Sequence, residues 1–516
     1  MSKSLFKSTS VVASMTMVSR IFGFLRDMVT AQLFGATAAF DAFSVAFRIP
    51  NLMRRLFAEG SFAQAFVPVL SEYQKNKSQE EIKRFINAIC GTLGFVLLCV
   101  TIAGIVLAPF IIRLFAPGFD TDGPRFDLAV TMLRITFPYL LLVSLTAFAG
   151  AILNTYSRFW VAAFTPVFLN LCMITAAFWL SPHLEKPIVG LAWGVLISGV
   201  IQLIFQWPFL KQLHLLPRPV VRFHDAGVMR VLKLMVPALF GVSVSQINLL
   251  LDTLFASFLV VGSVSWLYYS DRLMEFPLGV IGVAISTVIL PHLSRHHATE
   301  SHLDFSQTID WALRCVLIVG LPAAVLLAVI SGPLISTLFQ HGHFDALAVM
   351  MTRKSLTMFA LGIAPFMLIK ILAAGFYAKQ DIRTPVRIGV LAMVSNMVFN
   401  LILIWPLKHA GIALATSLSA VLNAGFLFYF LRKKEIYLPR EGWGFFSYRL
   451  FFANGILATF LWFASGDMQD WLTHETLWRA THLATLLVFS VVIYLTGLWL
   501  AGMRPRDVLI PQRQGI

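Results

Sequence analysis

The stretch TSVVASMTMVSRIFGFLRDMVTAQLF, residues 9–34, is long enough to cross a bilayer, yet it carries Arg20, Arg26 and Asp27. A hydrocarbon core about 30 Å thick is spanned by about 20 apolar residues in a helix. An arginine near the centre of such a helix costs about 2.5–3.5 kcal/mol on the mildest insertion scale, so it has to face protein or water. At about 100° per residue, Arg20 and Asp27 share a face two turns apart, with Arg26 about 120° round from Arg20. The helix therefore turns a charged sector inward. The run is too long and too charged for a cleaved signal peptide, and no small-x-small site follows its apolar part.

The rest of the chain repeats the pattern. Its 516 residues are 58% hydrophobic and 13% charged, against about a quarter charged in soluble proteins. We read fourteen spans, at 9–31, 37–58, 85–115, 128–154, 159–180, 188–209, 228–258, 265–291, 311–338, 350–377, 384–405, 411–431, 446–465 and 478–501. Continuous apolar runs of this length exclude an outer-membrane barrel, whose strands alternate over about ten residues. The expected class is an all-α polytopic membrane protein. Cys90, Cys99, Cys172 and Cys315 all fall in apolar runs without paired spacing and read as buried, inert thiols.

A net charge of +15 raises nucleic acid as a partner, but the placement of the charge answers it otherwise. With the N-terminus cytoplasmic, basic residues crowd the inside segments: Lys75, Lys77, Lys83 and Arg84, then Lys379, Arg383 and Arg387, then Arg432, Lys433 and Lys434. The outside segments hold few. The positive-inside rule accounts for this, with both termini cytoplasmic and no nucleic acid required.

Two segments recur. GLAWGVLISGVIQLIFQWPFLKQ lies over GIALATSLSAVLNAGFLFYFLRKK, with Gly190 on Gly411, Ser198 on Ser419 and Gln202 on Asn423, an offset of 221 residues. AFVPVLSEY (65–73) lies over VILPHLSRH (288–296) at nearly the same offset. Six spans separate matching helices, and an even number preserves direction, so the halves are parallel repeats of a kind that often flank a substrate cavity. The organisation read is an N-lobe at 1–210, a basic Pro-containing cytoplasmic linker at 211–227, a C-lobe at 228–434, and spans 13 and 14 with the tail at 435–516.

Charge also enters other spans. Span 2 holds Asp41, Arg48 and Arg55 at intervals of seven, with Arg54 and Glu59 at its cytoplasmic end; span 8 holds Asp271, Arg272 and Glu275 within one turn. Arg55–Glu59 and Arg272–Glu275 have the spacing of intrahelical ion pairs. Pro50 is expected to bend span 2, and Pro138, Pro166, Pro237, Pro277 and Pro322 to interrupt theirs. The arginines outnumber the acids in spans 1, 2 and 8, and a planar fork of donors suits phosphate and carboxylate. That combination points to a cavity for a polyanionic substrate.

SRIFGFLRD (19–27), AFDAFSVAFRIPNLMRRLFAEGSFAQAFVPVLSEY (39–73) and YSDRLMEFPLGV (269–280) resemble the bacterial MurJ (MviN) family, within the superfamily that also holds the MATE exporters. The resemblance covers nearly the whole chain. It implies an inner-membrane flippase for lipid II, the undecaprenyl-pyrophosphate-linked disaccharide-pentapeptide precursor of peptidoglycan, and not an enzyme. It further implies that Arg20, Arg26 and Arg272 grip the pyrophosphate and its surroundings, with Arg54 near the cytoplasmic mouth. Asp41 becomes a gate charge near the periplasmic side, and Asp27, Arg55, Glu59, Asp271 and Glu275 become supporting charges. Spans 13 and 14 are expected to form a groove for the polyprenyl tail.

Asp252, Asn396, Asn400 and Thr416 match a sodium site described for some members, against a plain hydrogen-bonded cluster as the simpler reading. Sodium or membrane potential is the expected driving force, and no other cofactor is implied. A monomer is expected, with membrane lipids and cell-wall synthases as partners. The rival readings are a flippase for another polyprenyl-linked saccharide, a MATE-like cation-coupled exporter, whose cavity should be acidic, and a membrane glycosyltransferase. The histidines of 295–302 and 340–345 sit in polar loops without zinc-site spacing, and no nucleotide-binding loop is present.

Overall fold

A computed structural model describes residues 3–55, 62–279 and 302–504. Glu59, the 288–296 half of the second repeat match and nearly all of the histidine segment 295–302 lie outside the described residues. Every regular element among the described residues is helical. The chain divides into two compact units, Met1–Ser265 and Trp266–Ile516.

The first unit holds α1 (Lys3–Phe34), α2 (Ala38–Arg54), α3 (Ala63–Asn76), α4 (Gln79–Val106), α5 (Ala108–Phe115), α6 (Pro124–Thr136), α7 (Tyr139–Thr155), α8 (Phe159–Phe164), α9 (Val167–Thr175), α10 (Val189–Gln212) and α11 (Ala226–Ser257). Helix α12 runs over 263–279, across the boundary. The second unit continues with α13 (His302–Val329), α14 (Ser331–Phe339), α15 (Ala346–Ala360), α16 (Ile363–Ala378), α17 (Arg383–Leu407), α18 (His409–Lys433), α19 (Trp443–Ala464), α20 (Met468–Thr473) and α21 (Thr476–Leu500).

Ten helical stretches among the described residues are long and apolar enough to cross a membrane. The four expected spans missing from that set correspond to α1, α2, α11 and α12, the helices that carry Arg20, Asp41, Asp252 and Arg272. Helix α2 and the described part of α12 are 17 residues each, short of a full crossing. Large apolar side chains face outward, Trp405 at 83% exposure and Phe463 at 78%, while Asp41, Asn396 and Asn400 are fully buried. That inversion fits an apolar solvent. It also explains the cysteines: Cys99 is exposed on α4 and the other three are half-buried, because a thiol that faces lipid chains need not be buried in protein.

The prolines divide into two groups. Pro138 and Pro166 do interrupt, each standing as the N-cap between a helix that has ended and the next. Pro50, Pro237, Pro277 and Pro322 lie inside helices that carry on past them. One proline removes a single N–H donor, and packed neighbours can hold the helix across that gap.

Caps set the helix starts. Ser78 and Glu81 form a reciprocal capping box at α4, and Asp225 accepts from the N–H groups of Gly227 and Val228 at α11. The first unit packs around Phe62, Phe66, Phe85 and Phe148, with Phe66 5.2 Å from Phe148 and 5.8 Å from Phe85. The segment between α10 and α11 runs back along α4. There Arg218 N–H donates to Asn87 Oδ1 (2.7 Å), Val220 N–H to Asn87 O (3.1 Å) and Arg222 N–H to Thr92 Oγ1 (3.0 Å). Gly91 permits the approach, since a Cβ there would collide with the Val220 backbone. Helix α11 then packs on α3 and α4, and Arg230 pairs with Glu72 at 2.8 Å. The duplication places α11 at the head of the second half of the chain; its packing partners belong to the first unit.

Repeat-matched positions behave alike. Gly190 and Gly411 both sit at a helix start, pressed against backbone of the preceding segment. Ser198 and Ser419 are both buried, and each hydroxyl donates to the carbonyl three residues back.

In the second unit, α19 and α21 pack together and against α13. Asp310 of α13 gathers Tyr437 Oη (2.7 Å), Trp443 Nε1 (2.7 Å) and Arg314 Nε (2.8 Å), which fixes the approach to α19. Buried Arg479 donates to the carbonyls of Ser336 and His474 and so ties α21 to the end of α14.

Asp381, between α16 and α17, accepts from Lys434 Nζ (2.6 Å), Thr384 Oγ1 (2.7 Å) and Thr384 N–H (3.0 Å). Burial pulls its pKa upward, but these donors outweigh it and hold the carboxyl at about 2. Its folded pKa lies below the unfolded value of about 3.9, so its contribution is present above about pH 4 and lost as pH falls toward about 2. Asp381→Asn should melt lower than the parent, by about 1 kcal/mol for so solvated a pair. The gap should stay level from about pH 5 to 8 and close below about pH 4. A gap that instead widens in acid would refute the assignment.

Candidate functional site

The charged sector of α1 resolves into two different arginines. Arg26 is 7% exposed and Asp27 3%. Arg26 Nε and Nη2 both donate to Asp27 Oδ1 (3.0 and 2.7 Å), and Nη1 donates to Asn170 Oδ1 of α9 (3.0 Å). Asn170 Nδ2 in turn donates to Ser19 O (3.1 Å), so one amide joins α9 to both ends of the SRIFGFLRD stretch. Arg26 and Asp27 neutralise one another. Arg20 is half-buried and makes no side-chain hydrogen bond or ion pair among the described residues. Its positive charge has no counter-charge of its own there.

Helix α2 supplies the next charges. Arg54 Nε and Nη2 donate to Asn51 Oδ1 (3.1 and 2.9 Å), and Arg48 donates to the Thr253 hydroxyl of α11. Arg54, Ser19 and Asn170 line a cavity of about 340 Å³ inside the first unit. Arg55 is half-buried at the end of α2; its expected partner Glu59 lies outside the described residues.

Asp41 is 0% exposed. Its Oδ2 accepts from Gly262 N–H (2.7 Å), and its Oδ1 accepts from Ser265 N–H (2.9 Å) and Oγ (2.5 Å). Helix α12 opens after Gly262, which has no side chain to cap it, and the Asp41 carboxylate takes the place of the missing cap. Arg125 Nη1 stands 3.8 Å from Asp41 Oδ2, its guanidinium over the Phe119 ring.

In the second unit Arg272 pairs with Glu275 at 2.7 Å and lies over the Tyr268 ring, with Asp271 half-buried beside it. Asn400 Nδ2 donates to Asn396 Oδ1 (3.0 Å), Asn396 Nδ2 to Thr416 Oγ1 (3.3 Å), and Thr416 Oγ1 to Ile412 O (3.1 Å). Asp252 lies in the other unit. Asn396 Oδ1 and Thr416 Oγ1 each accept one of these hydrogen bonds.

Three features escaped the sequence reading. Asn170 and Arg125 have no periodic signal, since one amide in an apolar run and one loop arginine look incidental. The pair Gln202 and Gln206, one turn apart in α10, was the stronger hint: two amides at i and i+4 in an otherwise apolar helix share a face.

The chain matches the family model for the lipid II flippase MurJ over residues 30–482. A probable lipid II flippase MurJ of Haemophilus influenzae is 46% identical over 96% of this chain and 99% of that protein. The chain belongs to the MurJ family. The lipid II flippase MurJ of Burkholderia cenocepacia is 41% identical over 97% of this chain and 98% of its own length. Among solved structures, a MurJ in an inward closed conformation covers 94% of this chain and 97% of its own, at a TM-score of 0.78 and 26% identity. An inward-facing MATE multidrug transporter covers 82% of this chain and 97% of its own, at a TM-score of 0.66; at 14% identity it speaks for the fold alone. The MurJ membership and the ten long apolar helices make this a multi-pass membrane protein.

If Asp41 caps α12, its loss should expose two particular amides. In Asp41→Ala, hydrogen exchange at Gly262 and Ser265 should quicken about 10- to 100-fold, matching about 1–3 kcal/mol for a buried donor left unpaired. Unchanged protection at both amides would refute the cap.

Proposed function

We propose that this chain flips lipid II from the cytoplasmic to the periplasmic leaflet of the bacterial inner membrane, as a transporter without catalytic residues. The observation that carries the reading is membership of the MurJ family over residues 30–482. Arg20 adds the chemistry: an arginine in an apolar helix, without a protein counter-ion among the described residues, is a seat for an anion. In this reading Arg20 meets the pyrophosphate first, and Arg26 and Arg272 complete its coordination. Each of those two stands beside an acid (Asp27, Glu275) that holds the guanidinium in place. Arg54 receives the head-group from the cytoplasmic side, and the Asp41 cap belongs to the periplasmic gate.

The fuller architecture is part of the same proposal. It has fourteen spans, both termini cytoplasmic, and two parallel six-helix repeats that alternate access, with α19 and α21 guiding the polyprenyl tail. The Gly190/Gly411 and Ser198/Ser419 correspondences support the repeat. For the driving force we favour membrane potential over sodium, at about 2.3 kcal/mol per charge per 100 mV, because Arg20 supplies a net charge. The protein works as a monomer and hands its product to cell-wall synthases.

The test is complementation. In cells depleted of their own lipid II flippase, the parent chain should restore growth and periplasmic lipid II. Arg20→Ala should fail while reaching the membrane at the parent's level, and Arg20→Lys should rescue partly, because it keeps the charge without the fork. Full rescue by Arg20→Ala would remove Arg20 from the site. A well-expressed parent that rescues nothing would turn the proposal toward another polyprenyl-linked saccharide.

A further inference from the structure

The cavity of about 340 Å³ inside the first unit has a chemistry that anion binding does not use. Besides Arg54 it is lined by Gln202 and Gln206 of α10, and by apolar side chains such as Val143 and Leu169. Gln206 is 1% exposed; its Nε2 donates to Thr165 Oγ1 (3.0 Å), while its Oε1 is buried with no hydrogen-bond partner. Gln202 is 2% exposed and makes no side-chain hydrogen bond among the described residues. A buried carbonyl oxygen left unpaired is costly. Gly150 borders Gln206: a Cβ there would stand 3.3 Å from Ala162 Cβ and in van der Waals contact with Gln206 Nε2 (3.8 Å) and Oε1 (3.9 Å).

We infer that this cavity is a subsite for a secondary amide of the substrate head-group, with Gln206 Oε1 accepting its N–H and Gln202 Nε2 donating to its carbonyl. The inference rests on the lipid II reading and deepens it. A secondary amide brings one donor, one acceptor and a small apolar flank, which is the complement of two glutamines set among valine and leucine. A phosphate brings acceptors only and would leave Gln206 Oε1 unpaired. The volume lies at the low end of ligand pockets, about 300–1,000 Å³, which suits one ring or one peptide unit rather than a whole head-group. The amide has two sources in lipid II, the acetamido groups of the disaccharide and the peptide stem.

Full-length protein in lipid nanodiscs would be titrated with three ligands: undecaprenyl pyrophosphate, the same carrier bearing the N-acetylated disaccharide alone, and complete lipid II. The variants are Gln202→Leu/Gln206→Leu, which keeps bulk, and Gly150→Val, which leaves both glutamines and fills the space before them. Both should bind the bare carrier like the parent and lose about tenfold in affinity for an amide-bearing ligand, the scale of one or two hydrogen bonds. Loss already present with the disaccharide carrier supports the inference and names the sugar as source; loss confined to complete lipid II supports it and names the peptide. Variants that bind all three ligands as the parent does would overturn it and leave the cavity to water. A parent that binds none of the three would sink the lipid II reading and this inference with it.

Discussion

A charged or polar group placed in hydrocarbon has only the protein to solvate it, and the buried charges Arg26, Asp41 and Arg479 are arranged around that constraint. Arg26 is solvated by an adjacent carboxylate and an amide from α9, Asp41 by two main-chain N–H groups and the Ser265 hydroxyl, and Arg479 by main-chain carbonyls. In water the same contacts would be worth little, because solvent competes for every donor. In lipid the competitor is absent, so these bonds decide which helices lie side by side. The exposed tryptophans and phenylalanines need no such arrangement and can face outward.

Against that background Arg20 is the exception. The chain keeps Arg26 and Asp27 as a neutral couple one turn and a half away, yet gives Arg20 no partner among the described residues. A protein selected for stability alone would pair or remove it. Retaining it makes sense where an anion completes the site, which is the physical content of the family assignment.

The broad architecture was legible in the sequence because it depends on composition. Runs of twenty apolar residues admit one interpretation, and the charged spans announced themselves by interrupting it. Finer features depended on pairings that spacing does not encode. Arg272–Glu275 was readable, since both lie on one helical turn, whereas Arg26–Asn170 joins residues 144 positions apart. Pro237, Pro277 and Pro322 were misjudged, since their helices carry on past them, and Pro138 and Pro166 were read correctly, where new helices start. Helix α3 lacks the length of a span and so entered the reading only as a repeat match over 65–73, although Ala63 and Val67 help to wall the cavity.

The Asp41 cap has a genetic consequence. Beside the Ser265 hydroxyl, two of its partners, at Gly262 and Ser265, are main-chain amides, and a main-chain amide is the same in every residue but proline. A lost ion pair can be restored by exchanging the two side chains, but here one half of the contact cannot be rewritten by any codon. Suppressors of an Asp41 lesion would therefore have to arise elsewhere, by bringing a new acceptor to the start of α12 or by lessening the need for one.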